Sequence, residues 1–217
     1  MKFTLIYDDD LPAAGNNTPA VPASKIRNKL HPQLLDLWQT HVVFRQLART
    51  ARTTKSGATW GSGQYNSPNL PDYNEPIRPV FEGQIDLCAA IDVPNVGQFN
   101  PVIRKSLHLA CALDILFLRH EQPFNLMKNG GDIDNRLKTL FDGLRMPDPK
   151  AEYKGDLPAA NPLCVLLEDD ALISDVSIKS GMLLGDPIKN KHLVRLTIDV
   201  TIKVLRVTEQ NQCLIGG

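Results

Sequence analysis

Asp132 and Asp134 stand one residue apart in the run Gly130-Gly131-Asp132-Ile133-Asp134-Asn135-Arg136-Leu137-Lys138. In extended backbone, residues two apart point the same way, so these carboxylates can converge on one cation. A hard ion such as Mg2+ wants oxygen ligands and usually takes only one or two carboxylates, with water and phosphate oxygens completing its shell. The two glycines would let the chain turn tightly and leave room for a substrate backbone. Lys138 follows Asp134 by four residues, one turn along the same face of a helix. Its ammonium can meet a phosphate there, or pair with Asp134 and Asp142.

A second acidic group, Glu168-Asp169-Asp170, closes the apolar run Leu166-Leu167. Strand side chains alternate, so Asp169 and Asp170 would face opposite ways and at most one would join the first pair directly. Two rival chemistries are excluded. An EF-hand needs an oxygen ligand where Arg136 stands, and its glycine and final glutamate are missing. A phosphatase nucleophile of the haloacid dehalogenase type would directly follow an apolar strand, whereas Lys128-Asn129-Gly130-Gly131 precedes Asp132. A D-x-D sugar-nucleotide or phosphoryl transferase stays open.

The elements that must position these residues follow from hydrophobic period. Alternation predicts strands over Lys2–Tyr7, Phe81–Val93, Leu107–Arg119 and Val194–Val204, with a shorter one over Leu172–Lys179. Pro32 suits the first turn of a helix running to about Thr50, with Leu34, Leu35, Trp38, Val42 and Leu47 at helical spacing. A second helix over Asn135–Arg145 carries Leu137, Leu140, Phe141 and Leu144 on one stripe, with Asp134 as its N-cap. Strands in series with helices between them predict an α+β fold with a mixed, mostly antiparallel sheet flanked by helices. Residues 53–79, rich in Gly, Ser, Asn and Pro, and 146–162, with four prolines, read as long irregular insertions in a single domain over 1–217.

The chain has 24 basic and 24 acidic residues in 217, and 42% hydrophobic content, which excludes wholesale disorder. Zero net charge sits awkwardly with nucleic-acid binding, where phosphate neutralisation supplies much of the affinity. The neutrality is a sum of unlike parts. Residues 24–55 hold seven basic residues against Asp36, while residues 128–180 hold seven against ten acids. Arg45, Arg49 and Arg52 fall at i, i+4, i+7 on the first helix, and Lys55 leads into the loop bearing Trp60 and Tyr65. Basic residues beside aromatics suit phosphate contact with base stacking; a solvated helix face is the alternative. Cys88, Cys111, Cys164 and Cys213 form no metal-ligand spacing and read as buried thiols of a reducing compartment. With no secretory or membrane-spanning run, the expectation is a soluble, cytoplasmic protein without membrane partners.

DIDNRLKTLFDGL (132–144), followed by LLEDDALISD (166–175), resembles the RusA-type Holliday junction resolvases. Their signature is D-x-D-N, a lysine on the ensuing helix, D-x-L at that helix's end, and then D-D entering a strand. Asp132, Asp134, Asn135, Lys138, Asp142, Leu144, Asp169 and Asp170 are the counterparts, in order. The likeness covers about residues 128–180; the start of the chain, Phe3 to Tyr7 followed by Pro12, Asn16 and Asn17, is similar more loosely. It implies a RusA-like fold and a Mg2+-dependent endonuclease (Mn2+ substituting) that acts as a homodimer and cuts four-way DNA junctions by paired nicks, in recombination and repair. Asp132, Asp134 and Asp170 would then be the metal-binding catalytic acids and Lys138 the lysine near the scissile phosphate. Asn135 and Asp169 would support them, and Asp142 would lie on the helix surface or a dimer contact. The basic stripe of Arg45, Arg49, Arg52 and Lys55, read from its charge spacing and not from the likeness, would contact the nucleic acid. The chain is longer than typical members, and its proline-rich insertion falls between the second and third acids. The competing expectation is a module of this kind that binds branched nucleic acid or a protein without cutting.

Overall fold

The computed structural model describes residues 1–12, 20–54, 84–120, 132–148, 160–184 and 193–215. The chain runs β1 (Lys2–Asp10), α1 (Ala20–Thr40), α2 (Val42–Thr50), β2 (Arg52–Thr54), β3 (Gln84–Asp86), β4 (Ile91–Val93), β5 (Gly97–Ile103), β6 (Leu109–Arg119), α3 (Asp132–Leu144), β7 (Leu163–Leu167), β8 (Ile173–Met182) and β9 (Leu193–Val204). It is an α+β fold. The main sheet has the order β1-β9-β6-β8, antiparallel except for the β6–β8 pair. A three-stranded sheet, β4-β5-β7, pairs β5 and β7 in parallel, and β2 and β3 form a two-stranded ribbon.

Period-2 patterning sets the register of the main sheet. Val194, Leu196, Ile198, Val200 and Ile202 of β9 are buried beside Leu109, Cys111, Leu113, Ile115 and Phe117 of β6, and Leu5 and Tyr7 of β1 join them. Ile26, Leu30, Leu34 and Leu37 of α1 and Leu137, Leu140 and Leu144 of α3 belong to the same continuous core. The outer face carries polar cross-strand contacts, among them Thr4 to Asp199 at 2.6 Å and Lys179 to Asp114 at 3.2 Å. Burial raises the Cys88 and Cys111 thiols to about 12 and that of Cys164 to about 11. No helix of the described residues is long and apolar enough to cross a membrane.

Hydrophobic period does not predict the strands β5 and β7, and three of the expected elements differ, each for a clear local reason. The first helix starts at Ala20, passes through Pro32 and ends at Thr40. A proline inside a helix costs roughly 3 kcal/mol, but apolar residues at helical spacing on both sides of it are buried in the core, and that packing outweighs the loss. His41 then leaves the helix with φ −75° and ψ 121°, and its Nδ1 accepts from Val43 N, so a new helix begins. The segment predicted as one strand from Phe81 to Val93 is two strands in separate sheets, with Phe81–Gly83 outside the described residues. The Asp86 carboxylate accepts from Cys88 N at 2.8 Å and turns the chain between them. The strand expected to open at Leu107 opens at Leu109, because Lys105–Leu107 is a short 3-10 turn closed by His108 at φ 52°.

Candidate functional site

Asp134, Leu137, Lys138, Phe141 and Asp142 of α3 form one stripe at helical spacing, and with Asp170 they line an open cleft of about 340 Å³. Asp134, Lys138 and Asp170 are exposed, while Asp142 is half-buried. Leu137 and Phe141 supply an apolar floor between the charged groups. Residues distant in sequence, Asp134 to Asp142 on the one hand and Asp170 on the other, are thus brought to one place by two elements.

The helix is held from below. A Cβ on Gly143 would lie 2.6 Å from Ile26 Cβ, so only glycine permits the approach of α3 to α1. The buried Arg27 donates through Nε to Arg145 O at 2.7 Å and through Nη2 to Asp142 O. These are carbonyls of the helix's C-terminal end, which lack intrahelical donors and carry partial negative charge. Arg136, also buried, donates to Leu11 O at 2.6 Å and ties α3 to the end of β1.

On the opposite wall, all five residues of β7 are buried. Met146 N donates to Leu167 O at 2.9 Å, and Glu168 N to Ile103 O at 2.9 Å. The three acids that follow divide their work. Glu168 Oε2 accepts from Lys105 N at 2.8 Å. Asp169 takes Lys105 Nζ at 2.6 Å and caps the 3-10 turn Asp170–Leu172 by accepting from Ala171 N at 3.0 Å. The Lys105 hydrogen bond, followed by that backbone cap, holds the Asp169 carboxyl down at about 2, and Asp169 in turn raises the Lys105 ammonium. Asp169 is engaged by Lys105 and the Ala171 N–H, and of these three acids Asp170 is the one that lines the cleft.

Arg145 joins the two walls. Its Nη2 is 2.8 Å from Asp142 Oδ1, its Nε is 3.8 Å from Asp170 Oδ2, and its Nη1 donates to Met146 O at 3.3 Å. Sequence reasoning assigned Asp142 to the helix surface or a dimer contact and gave Arg145 no role; the available signal was their i, i+3 spacing at a helix end.

Asp132 and Asp134 lie in the first turn of α3 rather than in extended backbone, and Asp134 is its third residue rather than its N-cap. Helical residues two apart are roughly 200° apart around the axis, so convergence of the pair by strand geometry does not hold. The Asp132 side chain lies outside the described residues. Asn135 is exposed, and its carbonyl accepts from Thr139 Oγ1 at 3.1 Å. Among the described residues, no three Asp, Glu, His or Cys side chains gather closely enough to hold a metal ion. The donors that do face the cleft, Asp134, Asp142 and Asp170, are all carboxylates, a set that suits Mg2+ or Mn2+ rather than a softer ion.

The basic stripe is redistributed by the helix break. Arg45 and Arg49 stand on α2, Arg52 opens β2, and Lys55 lies outside the described residues. All three described arginines are half-buried and engaged within the protein, and none lines the cleft. Of the other bases in residues 24–55, Arg27 is buried, and Lys25 and Lys29 approach Asp9 at 2.7 and 4.0 Å. No protein-family model, curated protein or solved structure matches the chain at a significant level.

Proposed function

We propose that the protein is a RusA-like, Mg2+-dependent endonuclease that cuts branched DNA, with four-way junctions as its substrate. One observation carries the reading: Asp134 and Lys138 on α3 and Asp170 after β7, the residues picked out by the sequence likeness, line a single open cleft. An open cleft bordered by exposed acids suits a backbone lying across it better than a small molecule enclosed within it.

Asp134 and Asp170 would hold the divalent ion, with Asp132 as the third acid of the likeness. When bound, such an ion supplies an activated water and charge stabilisation for the phosphate oxygens. Lys138, exposed one turn from Asp134, offsets negative charge developing on the phosphate. Gly143, Arg27 and the β7 anchorage keep the walls in place, so the acids are preorganised without rearranging the fold. A four-way junction presents two scissile strands and each chain contributes such a cleft, so a homodimer, working in the cytoplasm, accounts for paired nicks.

A second reading is a related module that binds branched nucleic acid or a protein partner without cutting it. The pairing of Arg145 with Asp142 and Asp170 favours it, since two cleft acids are partly neutralised with no metal. The test is nicking of synthetic four-way junctions in Mg2+ or Mn2+. The nuclease reading expects metal-dependent cleavage, reduced about 10²-fold or more by Asp134→Asn and by Asp170→Asn. Robust cleavage surviving both substitutions would sink it, and gel-shift binding with no turnover in either metal would favour the module.

A further inference from the structure

We infer that Arg145 is a positioning residue acting as a built-in counter-cation of the cleft: held by Asp142, its charge competes with a divalent metal for Asp170, and so weakens metal binding when no nucleic acid is present. The inference rests on the metal-site reading above and adds a regulator to it.

Arg145 stands just past the end of α3, where the chain bridges to Leu167 at the end of β7. The backbone at Arg145 is therefore anchored on both walls, and the guanidinium reaches acids from each. It approaches Asp142 with both Nη2 and Nε, at 2.8 and 3.3 Å. Asp170 lies further off at 3.8 Å and is the more exposed partner, 56% against 19% for Asp142. The firm contact is thus with the acid at the helix end, and the looser one with the acid proposed to bind metal. A positive charge at that distance lowers the local negative potential that attracts Mg2+, without sealing Asp170 from solvent. The guanidinium is itself a fork suited to phosphate. A nucleic-acid backbone entering the cleft offers Arg145 an alternative partner, and Asp170 is then released to the metal. Metal and nucleic acid would consequently bind with positive coupling.

The experiment is calorimetric titration of Mn2+ into the full-length protein without DNA, for wild type, Arg145→Gln, Arg145→Lys and Asp170→Asn. Arg145→Gln should bind Mn2+ about tenfold more tightly than wild type. Arg145→Lys, which keeps the charge, should stay within about threefold of wild type. Unchanged or weaker binding by Arg145→Gln, with wild-type binding abolished by Asp170→Asn, overturns the role of Arg145 while leaving the metal site standing. Binding absent from wild type and from both Arg145 variants overturns the metal site, and this inference with it. Should circular dichroism show Arg145→Gln unfolded, Arg145→Met, which keeps the apolar stem, takes its place with the same expected outcome.

Discussion

Arg104 and Arg145 sit at two junctions between the sheets and the rest of the chain, and they solve the problem of a guanidinium in opposite ways. Arg104 is 1% exposed. Its five N–H groups meet Pro101 O twice, Leu87 O, Ala89 O and Asn100 Oδ1, with no carboxylate among them. Desolvation by burial pushes its pKa down, and saturation of every donor makes the buried charge tolerable. Arg145 is a quarter exposed and faces two carboxylates. The first arrangement locks backbone: it holds the turn between β3 and β4 against the end of β5. The second is exchangeable, because its partners can be satisfied by another cation and its guanidinium by another anion.

The contrast is broken most severely at Arg104. Arg104→Met should cost about 3–5 kcal/mol, since it removes five hydrogen bonds, two of them to the buried Pro101 carbonyl. Urea unfolding checks it, and a loss below about 1 kcal/mol would mean that the lock is redundant. Next comes Gly143→Ala, expected to cost about 1–3 kcal/mol through overlap with Ile26. Pairing it with Ile26→Ala should recover part of that loss in a double-mutant cycle, because the two changes share one contact. Arg145→Gln should change stability by about 1–2 kcal/mol, since it breaks the half-buried contact with Asp142, and Asp170→Asn by no more than about 1 kcal/mol, as exposed ion pairs do. Thermal denaturation measures both, and a large loss at Asp170 would make it a structural acid rather than a working one.

The smallest effect concerns pH. The Asp169 carboxyl titrates near 2 rather than the usual 3.8 because Lys105 and the Ala171 N–H favour its charged form. Its folded value is lowered, so its contribution to stability is complete above about 4 and is lost as pH falls toward and through 2. Lys105→Ala should move the titration back toward 3.8, measurable by carboxyl chemical shifts. An unmoved titration would assign the shift to the backbone cap and the neighbouring Asp170 carboxyl.

Much of the architecture was legible in the sequence where local pattern and tertiary environment agree. The alternation of Val194 to Val204 gave β9 nearly to the residue, and the Leu137, Leu140, Leu144 stripe gave the buried face of α3. What escaped depends on partners distant in sequence. The break after Asp86 is stabilised by carbonyl acceptance from Arg104, 15 and 17 residues away, which period cannot reveal. The first helix crosses Pro32 because of what its flanks bury, not because of propensity. For the site, the spacing of Asp134 and Lys138 on a helix was readable, whereas the alternation expected of Asp169 and Asp170 was not met, because Asp170 opens a 3-10 turn and its carboxyl stays beside that of Asp169. The helical state of residues 132–134 was not, since two glycines and a D-x-D suit a turn equally well. Nor was Asp142's place in the cleft, which follows from Gly143 lying against Ile26 and turning that face of the helix toward Asp170.

The central claim is that Asp134 and Asp170 hold a divalent ion in this cleft. Anomalous scattering from crystals soaked in Mn2+ tests it most directly. The account predicts a peak bonded to oxygens of both carboxylates, lost in Asp134→Asn and in Asp170→Asn. A Mn2+ peak bound elsewhere, or one that persists in both variants, would contradict it.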